Sequence, residues 1–216
     1  MSTRNTEIND DVDVNSLRCH GDHVLIELYE RMKTSGGIHL ARAKATECVI
    51  GKVISHGKEL PNSYSGIGYH IGVDVGDVVL TMGYVGERMN INGASYRFLH
   101  AHGIWAKVKM KDVDSFDIAD LEPAFAFMLV ELLDDEITKG GIILAAGHDA
   151  QEQLRRAKVL KVGPGPWDAR TGKRIPVVLK PGDEVLMMRY AGADVEVNGK
   201  ILRLIDYSDV KAGLEK

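Results

Sequence analysis

Histidine and cysteine are the side chains in this sequence best equipped for metal or nucleophilic chemistry, yet their spacing favours neither. Cys19 and His20 stand near His23, His100 stands near His102, and His148 precedes Asp149. A structural zinc takes four ligands in a tetrahedral array, usually from two close pairs. None of these groups has that spacing, so no structural metal is expected. His100 and His102 could share a face if that stretch is extended, and they fall in a turn region before Ile104-Trp105. A nucleotide phosphate needs a glycine-rich turn with free backbone N–H donors. The candidate Gly163-Pro164-Gly165-Pro166 is interrupted by prolines, which have no such donor. No cofactor and no catalytic residues are therefore expected, and Arg155-Arg156 beside Lys158 reads as a solvated face. What remains is a capacity for non-covalent capture. Gly36-Gly37 is followed by Ile38-His39-Leu40, and Gly140-Gly141 by Ile142-Ile143-Leu144. A glycine-rich, charged loop packs poorly on itself, so aliphatic residues at its end are left needing a partner. The competing reading is that they begin a buried strand after a glycine bulge.

The elements that position these segments recur. The run VLIELYERMKTSGGIHL from Val24 lies over MLVELLDDEITKGGIIL from Met128 at an offset of 104 residues. Further on, Gly76-Asp77 lies over Gly182-Asp183, and Asn92-Gly93 over Asn198-Gly199, at an offset of 106. A repeat identifies the structural unit. The two-residue slip falls between Leu40 and Val53, which marks the stretch after each Gly-Gly as a surface loop, where insertions are tolerated. Residues 16–109 and 122–216 are thus expected to be two homologous domains, 110–121 a linker, and 1–15 a disordered acidic tail. Within each unit, short apolar runs are punctuated by glycine and helix signals are scarce, which predicts an all-β fold. The Asn-Gly pairs predict two-residue hairpin turns, whose central positions need positive φ. Units of about 90 residues with this spacing point to a small, partly open β-barrel. Such a barrel buries little surface and leaves edge strands, so pairing the first strand of one unit with the last of its neighbour is expected, and with it an oligomer.

The order strand, Gly-Gly-Ile loop, strand, hairpin insertion, Gly-Asp turn, Tyr-x-Gly and late hairpin resembles the GroES-type co-chaperonins. It occurs twice: Lys33 to Leu40, Gly51 to Gly57, Val75 to Asp77 and Tyr84 with Gly86, then Thr138 to Leu144, Val159 to Gly163, Gly182-Asp183 and Tyr190 with Gly192. The resemblance implies two GroES-like barrels in tandem, each with a mobile loop and a roof hairpin. It implies that residues 36–40 and 140–144 bind a groove on a GroEL-type chaperonin, whose ATP drives the folding of unfolded client proteins. Tyr64 and Tyr69 in one unit and Trp167 in the other would be aromatic positions of the roof, or would pack on their own hairpins. His39 departs from the aliphatic pattern, so the first loop is expected to be the weaker anchor. A homo-oligomeric ring is also implied, and two-domain chains pose a parity problem against a sevenfold partner.

Composition agrees with this reading and narrows the alternatives. The chain has 216 residues, 44% hydrophobic and 27% charged, with a net charge of -4, a balance that gives nucleic acid no basic surface. No run approaches the roughly 20 apolar residues of a membrane helix. The two cysteines, expected to be buried free thiols, are too few for a disulfide scaffold and point to a reducing compartment. Glu7, Asp10, Asp11 and Asp13 against Arg4 are unlike a transit peptide. Location in a bacterial cytoplasm, or a host's if phage-encoded, is expected, with a plastid open if a leader has been removed. Two alternatives remain: a GroES-like structural or adaptor module that binds no chaperonin, and a barrel of the medium-chain alcohol dehydrogenase type.

Overall fold

The structure, a computed structural model, describes residues 6–8, 12–29, 48–58, 60–61, 68–69, 71–109, 116–133, 154–168 and 170–214. The described residues form β-strands joined by turns and four short 3-10 turns. No described helix is long and apolar enough to cross a membrane.

The strands are β1 Thr6–Ile8, β2 His23–Leu28, β3 Cys48–His56, β4 Leu60–Pro61, β5 Gly68–Tyr69, β6 Val78–Met82, β7 Glu87–Ile91 and β8 Ala94–His100. They continue as β9 Ile104–Val108, β10 Leu121–Pro123, β11 Phe127–Leu132, β12 Leu154–Val162, β13 Glu184–Met188, β14 Ala193–Val197, β15 Lys200–Asp206 and β16 Val210–Leu214. One sheet runs β1-β7-β8-β2-β3-β6-β9-β10, a second runs β14-β15-β11-β12-β13-β16, and β4 pairs with β5. The order β7-β8-β2-β3-β6-β9 is thus repeated strand for strand by β14-β15-β11-β12-β13-β16. Even the irregularities recur. A register shift between Leu25 and Ile26 has its copy between Leu129 and Val130, and one between Leu80 and Thr81 its copy between Leu186 and Met187.

The turns follow from residue type. Asn92 and Gly93 adopt φ of 50° and 82°, and Asn198 and Gly199 adopt 49° and 75°. These are the positive values a two-residue hairpin requires, and they set Ile91 opposite Ala94 and Val197 opposite Lys200. At the Gly-Asp turns, the Asp77 and Asp183 carboxylates accept from the N–H of Asp74 and Lys180 at 2.9 and 2.8 Å.

Four apolar clusters result among the described residues, three of them filling the two units and the seam between them. Val24, Ile26, Val53, Val79, Leu99 and Ile104 fill the first unit, and their counterparts Met128, Val130, Val159, Val185 and Ile205 fill the second. The third lies at the seam, where Leu80, Ala106, Val108, Phe116 and Leu121 pack against Leu129, Val195, Val197, Leu202 and Leu204. Burying each such side chain contributes about 1.5 to 3 kcal/mol. Phe127 also reaches across to stack on Trp105, with ring centroids 4.6 Å apart.

Two expectations meet differences. The N-terminal segment, expected as a disordered tail, places Thr6–Ile8 parallel to β7, and Asn92 Nδ2 donates to the Val12 carbonyl at 3.1 Å. The cause is Leu25: it lies on the face of β2 opposite Val24 and Ile26, and Val12, Val14 and Leu17 cover it together with Ile91 and Tyr96. The cysteines are free, as expected, but partly rather than fully buried.

Candidate functional site

Each glycine-rich segment is framed by a closed ladder. Leu28 pairs with Gly51 and Leu132 with Ala157. One further backbone bond seals each ladder, from Tyr29 N to Ile50 O and from Leu133 N to Arg156 O, both at 3.0 Å. β2 and β11 therefore leave their barrels at the same place to which β3 and β12 return. The connections between Tyr29 and Cys48 and between Leu133 and Leu154 are 18 and 20 residues long. The two-residue slip in the repeat lies within them, because β2 and β11 are offset by 104 residues while β3 and β12 are offset by 106. Gly36, Gly37, Ile38, His39, Leu40, Gly140, Gly141, Ile142, Ile143 and Leu144 all lie outside the described residues.

The hairpin insertions differ between units. In the first, Leu60 pairs with Tyr69 and Pro61 with Gly68. Tyr64 and the Tyr69 side chain lie outside the described part. In the second, Trp167 forms an isolated antiparallel bridge with Arg174. The Arg174 guanidinium sits 4.0 Å over the Trp167 ring and 5.5 Å from the Phe125 ring centroid, and it donates to the Gly165 carbonyl at 2.6 Å. Trp167 thus packs on its own hairpin and borders the first unit's core. The hairpin tip is held by Asp168, whose carboxylate accepts from the Arg170 N–H and the Thr171 hydroxyl. Those bonds, the Arg170 N–H first, hold its pKa below the ordinary aspartate value.

Two glycine N–H groups that a phosphate would need are occupied. Gly163 N donates to Phe127 O at 2.9 Å and Gly165 N to Phe125 O at 2.8 Å. A Cβ at Gly165, which has φ +90°, would meet the Ile175 carbonyl. These glycines admit a close backbone crossing and offer nothing to a dinucleotide.

The seam between the units is a strand pairing. β10 adds to the edge of β9 with Leu121 opposite Val108, Glu122 opposite Lys107 and Pro123 opposite Ala106. Lys109 Nζ lies 2.6 Å from Glu122 Oε1. That hydrogen bond lowers the glutamate's pKa and raises the lysine's. Lys161 Nζ donates to the carbonyls of Ala119 and Leu121 at 2.7 and 2.9 Å, and Asn198 Nδ2 donates to the Asp117 carboxylate. The C-terminal half of the connecting segment is therefore fastened to the second unit, with Phe116 buried beneath it.

The histidines group otherwise than by sequence neighbourhood. Cys19 turns to Ser55, its N–H 3.2 Å from the Ser55 hydroxyl, and burial pushes its thiol pKa up. His102 lies against Phe125 with centroids 4.9 Å apart. His23 and His100 stand opposite each other across β2 and β8, with Asp22 beside them. Sequence reasoning missed this pair because 77 residues separate its members. The pairing of β2 with β8 is not joined by a short turn, so no local signal in the sequence would have found it.

Residues 16–108 and 121–214 each match the family described as Chaperonin 10 Kd subunit. The "20 kDa chaperonin, chloroplastic" of Spinacia oleracea is 30% identical over 209 residues, which is 92% of this chain and 75% of that protein. "Co-chaperonin GroES" of Methylacidiphilum infernorum is 38% identical over 96 residues, 44% of this chain and 94% of the relative. "Co-chaperonin GroES" of Mycobacterium leprae is 30% identical over 111 residues, 51% of this chain and 99% of the relative.

Proposed function

Since the chain belongs to the Chaperonin 10 Kd subunit family, with two copies of its domain in one polypeptide, we infer that it is a co-chaperonin that caps a GroEL-type ring and assists ATP-dependent folding. Members of this family are not enzymes, and the nucleotide belongs to the partner. The observation that carries the reading is the pair of sealed hairpin bases, each emitting a connection of 18 or 20 residues in which Gly-Gly-Ile-x-Leu recurs. Residues 36–40 and 140–144 are the chaperonin-binding segments. Burying two or three aliphatic side chains yields about 4 to 8 kcal/mol, while ordering a loop costs about 2 to 5 kcal/mol. One loop binds weakly, and several on one ring bind tightly yet reversibly through effective concentration. Tyr64, Tyr69 and Trp167 belong to the roof hairpins.

The protein works as a closed homo-oligomer of its own chains. Within the chain, β10 covers the edge of β9. The copy of β9 is β16, whose far edge has no partner strand among the described residues. The copy of β10 is the stretch 17–19, which is in no strand here. A neighbour's Leu17, Arg18 and Cys19 on β16 reproduces the internal seam. The bacterial cytoplasm or a plastid, where such rings reside, is its place of work.

The test is nucleotide-dependent capture. Mixed with a purified GroEL-type ring, the chain is expected to co-elute with it on size exclusion in the presence of ATP and to elute apart without nucleotide. Separate elution under both conditions leaves the adaptor reading in its place.

A further inference from the structure

We propose that Asp22, His23 and His100 form a binding site for one divalent transition-metal ion of the zinc, nickel and copper class, clipping β2 to β8 at the surface of the first unit. The proposal is independent of chaperonin binding. His23 and His100 are direct cross-strand partners, and their rings stand 4.5 Å apart, tilted by 42°. His100 Nδ1 lies 2.9 Å from Asp22 Oδ2, and His23 Nδ1 lies 3.9 Å from Asp22 Oδ1. One donor atom from each of the three residues lies within 4.8 Å of the other two. Zinc bonds of 2.0 to 2.1 Å in a tetrahedron set donors about 3.3 Å apart. Exposed side chains reach that by small rotations, and both rings are exposed, at 48% and 65%.

The surroundings prepare the site. His23 Nδ1 is 3.0 Å from the His20 carbonyl, to which it can only donate. The proton is thereby kept on Nδ1, and Nε2 is left with the lone pair a metal takes. A backbone carbonyl fixing the tautomer of a ligating histidine is a recurrent feature of metal sites. Asp22 is held at its backbone, where its carbonyl accepts from Ala101 N at 2.8 Å, and Gly21 at φ +60° turns the chain into it. At His100 the metal takes the place of the proton on Nδ1, which the neutral imidazole then carries on Nε2, so both rings ligate without losing a proton to solvent. Two imidazoles and a carboxylate suit zinc, nickel or copper rather than magnesium or calcium. Water completes the coordination.

The second unit serves as an internal control. There the equivalent backbone bond runs from Tyr207 N to Ala126 O at 3.0 Å, and the equivalent cross-strand pair is Phe127 with Asp206. The same scaffold carries no ligand set, so the site occurs in one of the two units.

Zinc titrated calorimetrically into the full chain, prepared without a histidine tag, tests the proposal. One ion per chain is expected, with affinity at least about tenfold weaker in His23→Ala and in His100→Ala and unchanged in His148→Ala. Zinc should also raise the melting temperature of the wild type and not that of the two variants. His100→Gln serves where His100→Ala melts lower without metal. Absence of binding, equal affinity in all variants, or loss confined to His148→Ala would overturn the assignment.

Discussion

Arg97 and Arg203 occupy the same position in the two units but have opposite neighbours. Arg203 Nε lies 2.8 Å from Asp194 Oδ1, and its Nη1 donates to the Arg189 carbonyl. Arg97 also reaches backbone carbonyls, its Nη1 donating to those of Met82 and Val85 at 2.9 and 3.0 Å. The residue opposite it, however, is Arg88 where the second unit has Asp194. Burial first, and then the Arg88 charge, push the Arg97 pKa down, and its Nε is buried without a partner. A buried charge lacking its counterion is costly. Arg88→Asp is therefore expected to stabilise the first unit by about 1 kcal/mol, after discounting for solvent at position 88. In a chain of this size that raises the melting temperature by about 2 to 4 °C. Asp194→Arg should lower it comparably. A thermal melt in which Arg88→Asp unfolds earlier than the parent would show that Arg97 does not need the carboxylate.

At the scale of elements, the proposed seam between chains carries charges of the opposite sense to the seam inside the chain. Inside the chain Glu122 of β10 meets Lys109 just past β9. By the offsets of 104 and 106, the sequence copies of Glu122 and Lys109 are Arg18 and Glu215. Arg18→Glu should therefore weaken association of whole chains, and Arg18→Glu with Glu215→Lys should restore it. Exposed pairs are worth only about 0.2 to 1 kcal/mol each, so the effect is a severalfold rise in the concentration needed for assembly. Analytical ultracentrifugation reads it, and a double variant that associates no better than the single one would refute the seam. Much of this level was legible in the sequence. The Asn-Gly turns, the Gly-Asp turns and the slip from 104 to 106 are local signals, each tied to a backbone conformation or a loop. What was not legible depends on register between distant strands. The pairing of β10 on β9 matches the expected joining of one unit's first strand to its neighbour's last, but that Leu25 needs the N-terminal segment as a cover, that Phe116 is buried at the seam, and that His23 faces His100 all follow from pairings separated by many residues. No local spacing encodes them.

At the scale of the molecule, duplication frees one copy to diverge while the other keeps the shared task. The units preserve strand order, register shifts and turns, yet their loops differ: Ile38-His39-Leu40 in one and Ile142-Ile143-Leu144 in the other. An imidazole gives up most of the apolar burial an isoleucine supplies, and each such side chain contributes about 1.5 to 3 kcal/mol. The second loop is then expected to be the principal anchor, with the first adding mainly through effective concentration once the second is seated. Ile143→Ala is accordingly expected to weaken capture of the chaperonin ring at least about tenfold, whereas Ile38→Ala weakens it severalfold and His39→Ile strengthens it. Competition for the ATP-bound ring against unmodified chain ranks the three variants. Equal losses from Ile143→Ala and Ile38→Ala would mean that both loops contribute alike and that duplication has left them equivalent.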